Sequence, residues 1–162
     1  MKLEKLSAIA EILSAVAVVF TLVYLAIQTQ QNTAAVRANT REAALANAME
    51  ILRLQFENPD LVGSLVKPEL SPEEESRLGN YLSIHLERYI NAFYQFRDGA
   101  MDEPTYITVR QPFLFMLSTR RGRLWWKNTE PRVRAFPELQ AQVDILLGDA
   151  PVRDEILNSF AE

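Results

Sequence analysis

The side chains that could carry chemistry are few. His85 is the single histidine in 162 residues, and the chain has no cysteine. That composition excludes disulfides, thiol nucleophiles, Cys-based zinc or iron–sulfur centres and any site built from several histidines. His85 is a candidate general base or pH sensor, because imidazole titrates near neutrality. It falls among Tyr81, Leu82 and Tyr89 on an apolar helical pattern, where a core histidine is the simpler reading. Glu73, Glu74 and Glu75 are consecutive acids that could suggest a metal site. At a helix start they more simply favour the helix dipole. No GxGxxG, Walker lysine loop, HExxH or GxSxG motif is present. No catalytic residue, metal ligand or cofactor is assigned, and the chain is not expected to be an enzyme.

One cluster stands above this background. Arg120, Arg121, Arg123, Lys127, Arg132 and Arg134 place six positive charges in fifteen residues, with Trp125 and Trp126 among them. Such a patch suits anionic lipid headgroups, since basic residues are drawn to the inner leaflet and tryptophan to the interface. An anionic ligand or an acidic partner would also fit. The plain alternative is a solvated surface with one tryptophan in the core. Over the whole chain, 17 Lys and Arg stand against 21 Asp and Glu, a net charge of −4. That balance argues against a nucleic-acid partner.

The elements that must position these groups begin with an apolar helix. Residues 12–27, ILSAVAVVFTLVYLAI, carry no charge, and starting at Ala8 gives twenty residues containing only Glu11. About 20 helical residues cross a bilayer core. Lys2 and Lys5 precede the span, Tyr24 lies near its far end, and Gln28, Gln30, Gln31 and Asn32 close it. A cleaved signal peptide would have a shorter core and a small-x-small site, which LAIQTQQ lacks. A buried soluble helix is the other alternative. The leading expectation is a single transmembrane anchor.

Within the span, Ser7, Ala10, Ser14, Ala17 and Thr21 alternate at steps of three and four, which puts small residues on one helix face. Small faces let helices approach closely in lipid, so a homo-oligomer is expected. Glu11 lies on or beside that face, near enough to the edge to reach headgroups. Glu11, Ser14, Thr21, Gln28 and Asn32 also form a polar stripe, so a pore lined by this helix is the alternative function.

No Gly or Pro occurs from Gln28 to Glu57, and alanine is abundant, so one helix should run out of the membrane to about Asn58 and stop at Pro59. Leu45, Ala48, Leu52 and Phe56 give it an apolar face. Pro59, Gly63 and Pro68 mark a connection with a short helical turn. Ser71-Pro72-Glu73-Glu74 reads as a capping box opening a helix to about Arg97, with Leu78, Leu82, His85, Tyr89, Ala92 or Phe93, and Phe96 on one face. Asp98-Gly99 ends it. Asp102 caps the next helix, whose stripe is Tyr106, Val109, Phe113 and Leu117, and Pro112 should bend or shorten it. A short helix around Leu124 to Trp126 should break at Pro131, and Pro137 should open another that closes at Gly148. A final helix over 152–160 is expected. No alternating run predicts a strand.

The expected fold is therefore all-α: an N-terminal transmembrane helix continuing into a long helix that packs on a soluble helical bundle. Residues 1–32 form the anchor and residues 33–162 the soluble domain. Lys2 and Lys5 on one side nearly balance Arg37 and Arg41 on the other. The basic tryptophan cluster suits a cytoplasmic domain on the inner membrane.

The segment SAVAVVFTLVYLAIQTQQNTAAVRA followed by a helical region resembles a group of uncharacterised bacterial single-pass membrane-anchored helical proteins. The likeness rests on Tyr24-Leu25-Ala26, Gln28, Gln31, Asn32 and Thr33, then Tyr94-Gln95 with Gly99, Trp125-Trp126, and Pro137 leading to Val143-Asp144. Where such proteins often carry arginines soon after the span, this chain has Thr29 and Gln30. The resemblance implies a bilayer as partner but no known activity and no catalytic residues.

Overall fold

The structure, a computed structural model, describes residues 2–133, 135–148 and 151–153, with side chains from Ser7 onward and without those of residues 130–132. Six helices follow in order: α1 Lys2–Glu57, α2 Asp60–Gly63, α3 Pro72–Arg97, α4 Glu103–Leu117, α5 Arg120–Val133 and α6 Pro137–Gly148. No strand occurs among the described residues. The chain divides into two compact units, Met1–Asn39 and Thr40–Glu162.

The first unit is a single helical stretch. Every side chain from Ser7 to Asn39 is exposed, including Ile12, Leu13, Phe20, Leu22 and Tyr24. The helix is long and apolar enough to cross a membrane. Its threonines do not break it, because their hydroxyls turn back on the preceding turn. Thr21 Oγ1 donates to the Ala17 carbonyl at 2.9 Å, Thr29 to Leu25 at 2.8 Å, and Thr33 to Thr29 at 2.9 Å.

The second unit is built around α3 and α4, with α5 and α6 packed on α4 and α2 on α3. Ser71 caps α3 by accepting from the Glu74 N–H at 3.2 Å, while the Glu74 carboxylate accepts from the Ser71 N–H at 2.8 Å. Lys67 adds an ion pair to Glu74 at 2.6 Å. That contact, then the Ser71 N–H, pulls the Glu74 carboxyl down to about 2. Asp102 caps α4 by accepting from the Thr105 N–H at 2.9 Å. Gly99 closes α3 in the left-handed region, φ +76°, which suits glycine.

Leu82, Tyr89, Phe113, Leu117, Leu139 and Val143 are fully buried and form the centre of the core. A polar knot sits inside it. Gln142 Oε1 accepts from Tyr89 at 2.5 Å and from Tyr106 at 2.6 Å, and the two hydroxyls lie 3.2 Å apart. One amide oxygen on α6 thus fixes α3 and α4 together.

Three local expectations are corrected. The inward face of the α1 segment 40–57 is Ala44, Ala48, Ile51 and Leu54, whereas Leu45, Leu52 and Phe56 point out, Phe56 being 84% exposed. The small alanine face allows closer approach to the bundle than the leucine face would. α5 does not break at Pro131 but runs through it to Val133. Val152 and Arg153 are not helical, and the remainder of the helix expected over 152–160 lies outside the described residues.

Gly122, in the first turn of α5, meets the end of α4. A Cβ there would lie 2.1 Å from the Met116 carbonyl oxygen and 2.8 Å from its carbon. Gly79, inside α3, would place a Cβ at an ordinary 3.8 Å from the Trp125 indole nitrogen. Gly122→Ala is therefore expected to destabilise the fold by about 3 kcal/mol. Gly79→Ala should stabilise it by about 0.5 kcal/mol through helix propensity. Chemical denaturation followed by circular dichroism checks both signs.

Candidate functional site

A groove of about 560 Å³ lies in the second unit between the 40–57 stretch of α1, α3 and α4. It exists because α1 presents Ala44 and Ala48 where larger residues would fill the space. Leu45, Leu52, Val109 and Pro112 make it apolar. Its volume lies within the roughly 300–1,000 Å³ of small-molecule sites.

Few polar groups enter it. Arg41 is bound to Asp102 at one end, and Gln55 donates to the Tyr81 hydroxyl. Arg41 and the Thr105 cap together hold the Asp102 carboxyl well below the usual range, the Thr105 contact being larger. Thr108 also lines it, its hydroxyl donating to the Pro104 carbonyl at 2.9 Å, and His85 and Arg88 complete the polar lining. His85 is 3% exposed, stands edge-on to Tyr81 with ring centres 4.8 Å apart, and leaves Nε2 without a hydrogen-bond partner. Arg88, one turn along α3, is half-buried and forms no ion pair among the described residues. Burial lowers the pKa of both, and the Arg88 charge pushes His85 down further, to about 4. At neutral pH the groove therefore holds a neutral imidazole and a half-buried, unpaired guanidinium.

The basic cluster is not one open surface. Trp126 is buried and its indole donates to Asp144 at 3.0 Å. Trp125 is half-buried against Phe113, ring centres 6.5 Å apart. Arg121 donates to the Lys67 carbonyl at 2.7 Å. Arg120 and Lys127 are exposed, and Arg123 is partly buried. The Arg132 side chain and Arg134 lie outside the described residues.

The stripe Ser7, Ala10, Glu11, Ser14, Ala17, Thr21, Gln28 and Asn32 is exposed throughout. Ser7 Oγ donates to Glu11 at 3.5 Å. The Thr21 hydroxyl donates to the Ala17 carbonyl within its own helix and keeps its acceptor lone pairs on the exposed face.

A family model covers residues 3–143, from the start of the apolar helix through Val143 of α6. The chain belongs to that family, DUF6082, a family of unknown function. No curated protein and no solved structure matches the chain. Membership thus fixes kinship over most of the chain and assigns no activity.

Sequence reasoning placed His85 correctly on a buried face but overlooked Arg88 three residues on. The signal was available: an arginine among Leu86, Tyr89 and Ile90, within the apolar stretch of the helix. It also overlooked a continuation. The steps of three and four from Ser7 to Thr21 go on through Tyr24, Gln28, Gln31, Ala35, Ala38 and Glu42 to Leu45, Met49, Leu52 and Phe56. The last four are large, apolar and exposed.

The depressed His85 pKa has a definite sign in stability. Below its ordinary 6.5 the unfolded chain takes a proton that the folded chain refuses until about 4. Stability is complete above pH 6.5 and declines toward pH 4, by about 2 kcal/mol down to pH 5, where Glu74 and Asp102 still contribute little. Thermal unfolding of the full chain between pH 7 and 5 checks this. His85→Phe should flatten the dependence in that window.

Proposed function

We propose that this is a single-pass membrane protein that acts through parallel self-assembly along α1 rather than through catalysis. The observation that carries it is the single register on that helix. Small residues hold the positions inside the apolar span, and Leu45, Met49, Leu52 and Phe56 hold the same positions beyond it. An average step of 3.5 residues is the repeat of a left-handed coiled coil, which takes up the drift of about 20° per heptad of a straight helix.

The change of residue size along the register follows the change of solvent. In hydrocarbon there is no hydrophobic drive between helices, and close backbone approach through Ser14 and Ala17 supplies the attraction. In water, burial of leucine, methionine and phenylalanine supplies it at roughly 25 cal/mol per Å². Gln28 and Gln31 are polar members of the seam, the kind of residue that fixes register at some cost in stability. Copies inserted in one bilayer in the same sense can pair only in parallel. This reading places the helical domain at the cytoplasmic face of a bacterial inner membrane, with the Arg120–Lys127 region available to anionic headgroups.

The cysteine-free chain makes the test direct. In native membranes, Leu45→Cys and Leu52→Cys should form disulfide-linked dimers on mild oxidation, and Arg53→Cys, off the seam, should not. Equal cross-linking at all three positions would remove the proposed seam. Ser14→Leu with Ala17→Leu should weaken association by about tenfold, or about 1.4 kcal/mol, in detergent-corrected sizing. Full-length protein that stays in the supernatant after membranes are pelleted would remove the anchor itself.

A further inference from the structure

We infer that the groove between α1, α3 and α4 binds an apolar chain ending in a carboxylate, with Arg88 and His85 Nε2 receiving the acid group. This does not rest on the assembly proposed above. Two features of the cavity lining point to it. Arg88 is a half-buried guanidinium with no counter-ion among the described residues, set in a wall of leucine, valine and proline. Beside it, His85 is more than nine-tenths buried and keeps Nε2 unpartnered. A buried polar atom left without a partner costs about 1–3 kcal/mol, and an arginine in an apolar wall without an anion is held against its own desolvation. One ligand oxygen on each group removes both costs.

The charge count selects the head group. The groove offers a single uncompensated cation, since Arg41 is already bound to Asp102. His85 adds a neutral imidazole and no charge at neutral pH. One cation and one neutral donor match a monoanion with two oxygens. A phosphate monoester would bring a second charge with nothing to meet it. Ala44, Ala48, Leu45, Leu52 and Val109 offer the tail only hydrocarbon contacts, which suits a chain of methylenes and gives no hydrogen bonds to a polar peptide.

The experiment uses the full chain in phosphatidylcholine nanodiscs and a palmitate carrying a photoactivatable diazirine. On irradiation the label should map by mass spectrometry to the peptides bearing Leu45–Leu52 and Thr105–Val109. The matching diazirine alcohol, which lacks the carboxylate, should label them about tenfold less. Arg88→Gln should cause a similar loss and Arg88→Lys should restore much of it. That separates a charge role from a folding defect. Ala48→Trp, which fills the groove with Arg88 intact, should abolish labelling. Unlabelled palmitate should compete and phosphatidylglycerol should not. Equal labelling by acid and alcohol, indifference to Arg88→Gln in a folded chain, competition by phosphatidylglycerol alone, or label confined to residues 7–27 would each overturn the inference. Ser14→Leu should leave labelling unchanged, and Arg88→Gln should leave the Leu45→Cys cross-link unchanged, so the two readings fail separately.

Discussion

An apolar helix surface that its own chain leaves uncovered has to be covered by something else. This constraint governs the first 39 residues. From Ile9 to Ile27 the large aliphatic and aromatic side chains all stand about half or more exposed. At roughly 25 cal/mol per Å² such a surface is strongly unfavourable in water, and no backbone polarity offsets it because the helix satisfies its own hydrogen bonds. The sequence adds helix-compatible threonines whose hydroxyls fold back on the i−4 carbonyls, so even the polar side chains of the span make few demands on a solvent.

The second unit meets the opposite requirement with a polar centre. Two tyrosines from different helices share one glutamine oxygen, and each hydroxyl is buried with its partner in place. Burial and the Tyr106 contact push the Tyr89 phenol well above its ordinary range, so it stays protonated and remains a donor at any pH the fold would meet. Gly122 lets α5 close against the α4 carbonyl at Met116, and Thr119 bridges the same turn, donating to Met116 at 2.8 Å and accepting from Gly122 at 3.0 Å. With the bundle this well determined on the α4–α5–α6 side, the gap under α1 stands out as a local choice of small residues rather than a general looseness of packing.

Much of this was legible in the sequence. Capping box, helix-stop glycine and the i, i+4, i+7 stripe of α3 are local signals, and they agree with the packed result from Leu78 to Ala92, while Phe96 at the end of the stripe is exposed. The failures were of two kinds. Proline was read as a helix breaker at Pro131, yet the helix runs two residues past it to Val133. The apolar face of α1 reads from the sequence as Leu45, Ala48, Leu52 and Phe56, of which only Ala48 turns inward. Packing joins Ala44, Ile51 and Leu54 to it, because helix–helix distance depends on the small side chains as much as on the large ones. The groove was invisible for the same reason: it is made by absent volume on one helix and by residues on two others, a conjunction that no spacing within one segment records.

That misreading of α1 carries the larger lesson about how its surfaces are divided. A helix with alanines on one face and leucines on an adjacent one has two packing partners to accommodate. The alanine face allows an inner bundle to come close, and the leucine face remains large enough to hold a second helix at ordinary separation. Leu45 and Leu52 border both: they line the groove and stand on the outward register. Residue size at these two positions therefore sets both the wall of the groove and the bulk of the outer face.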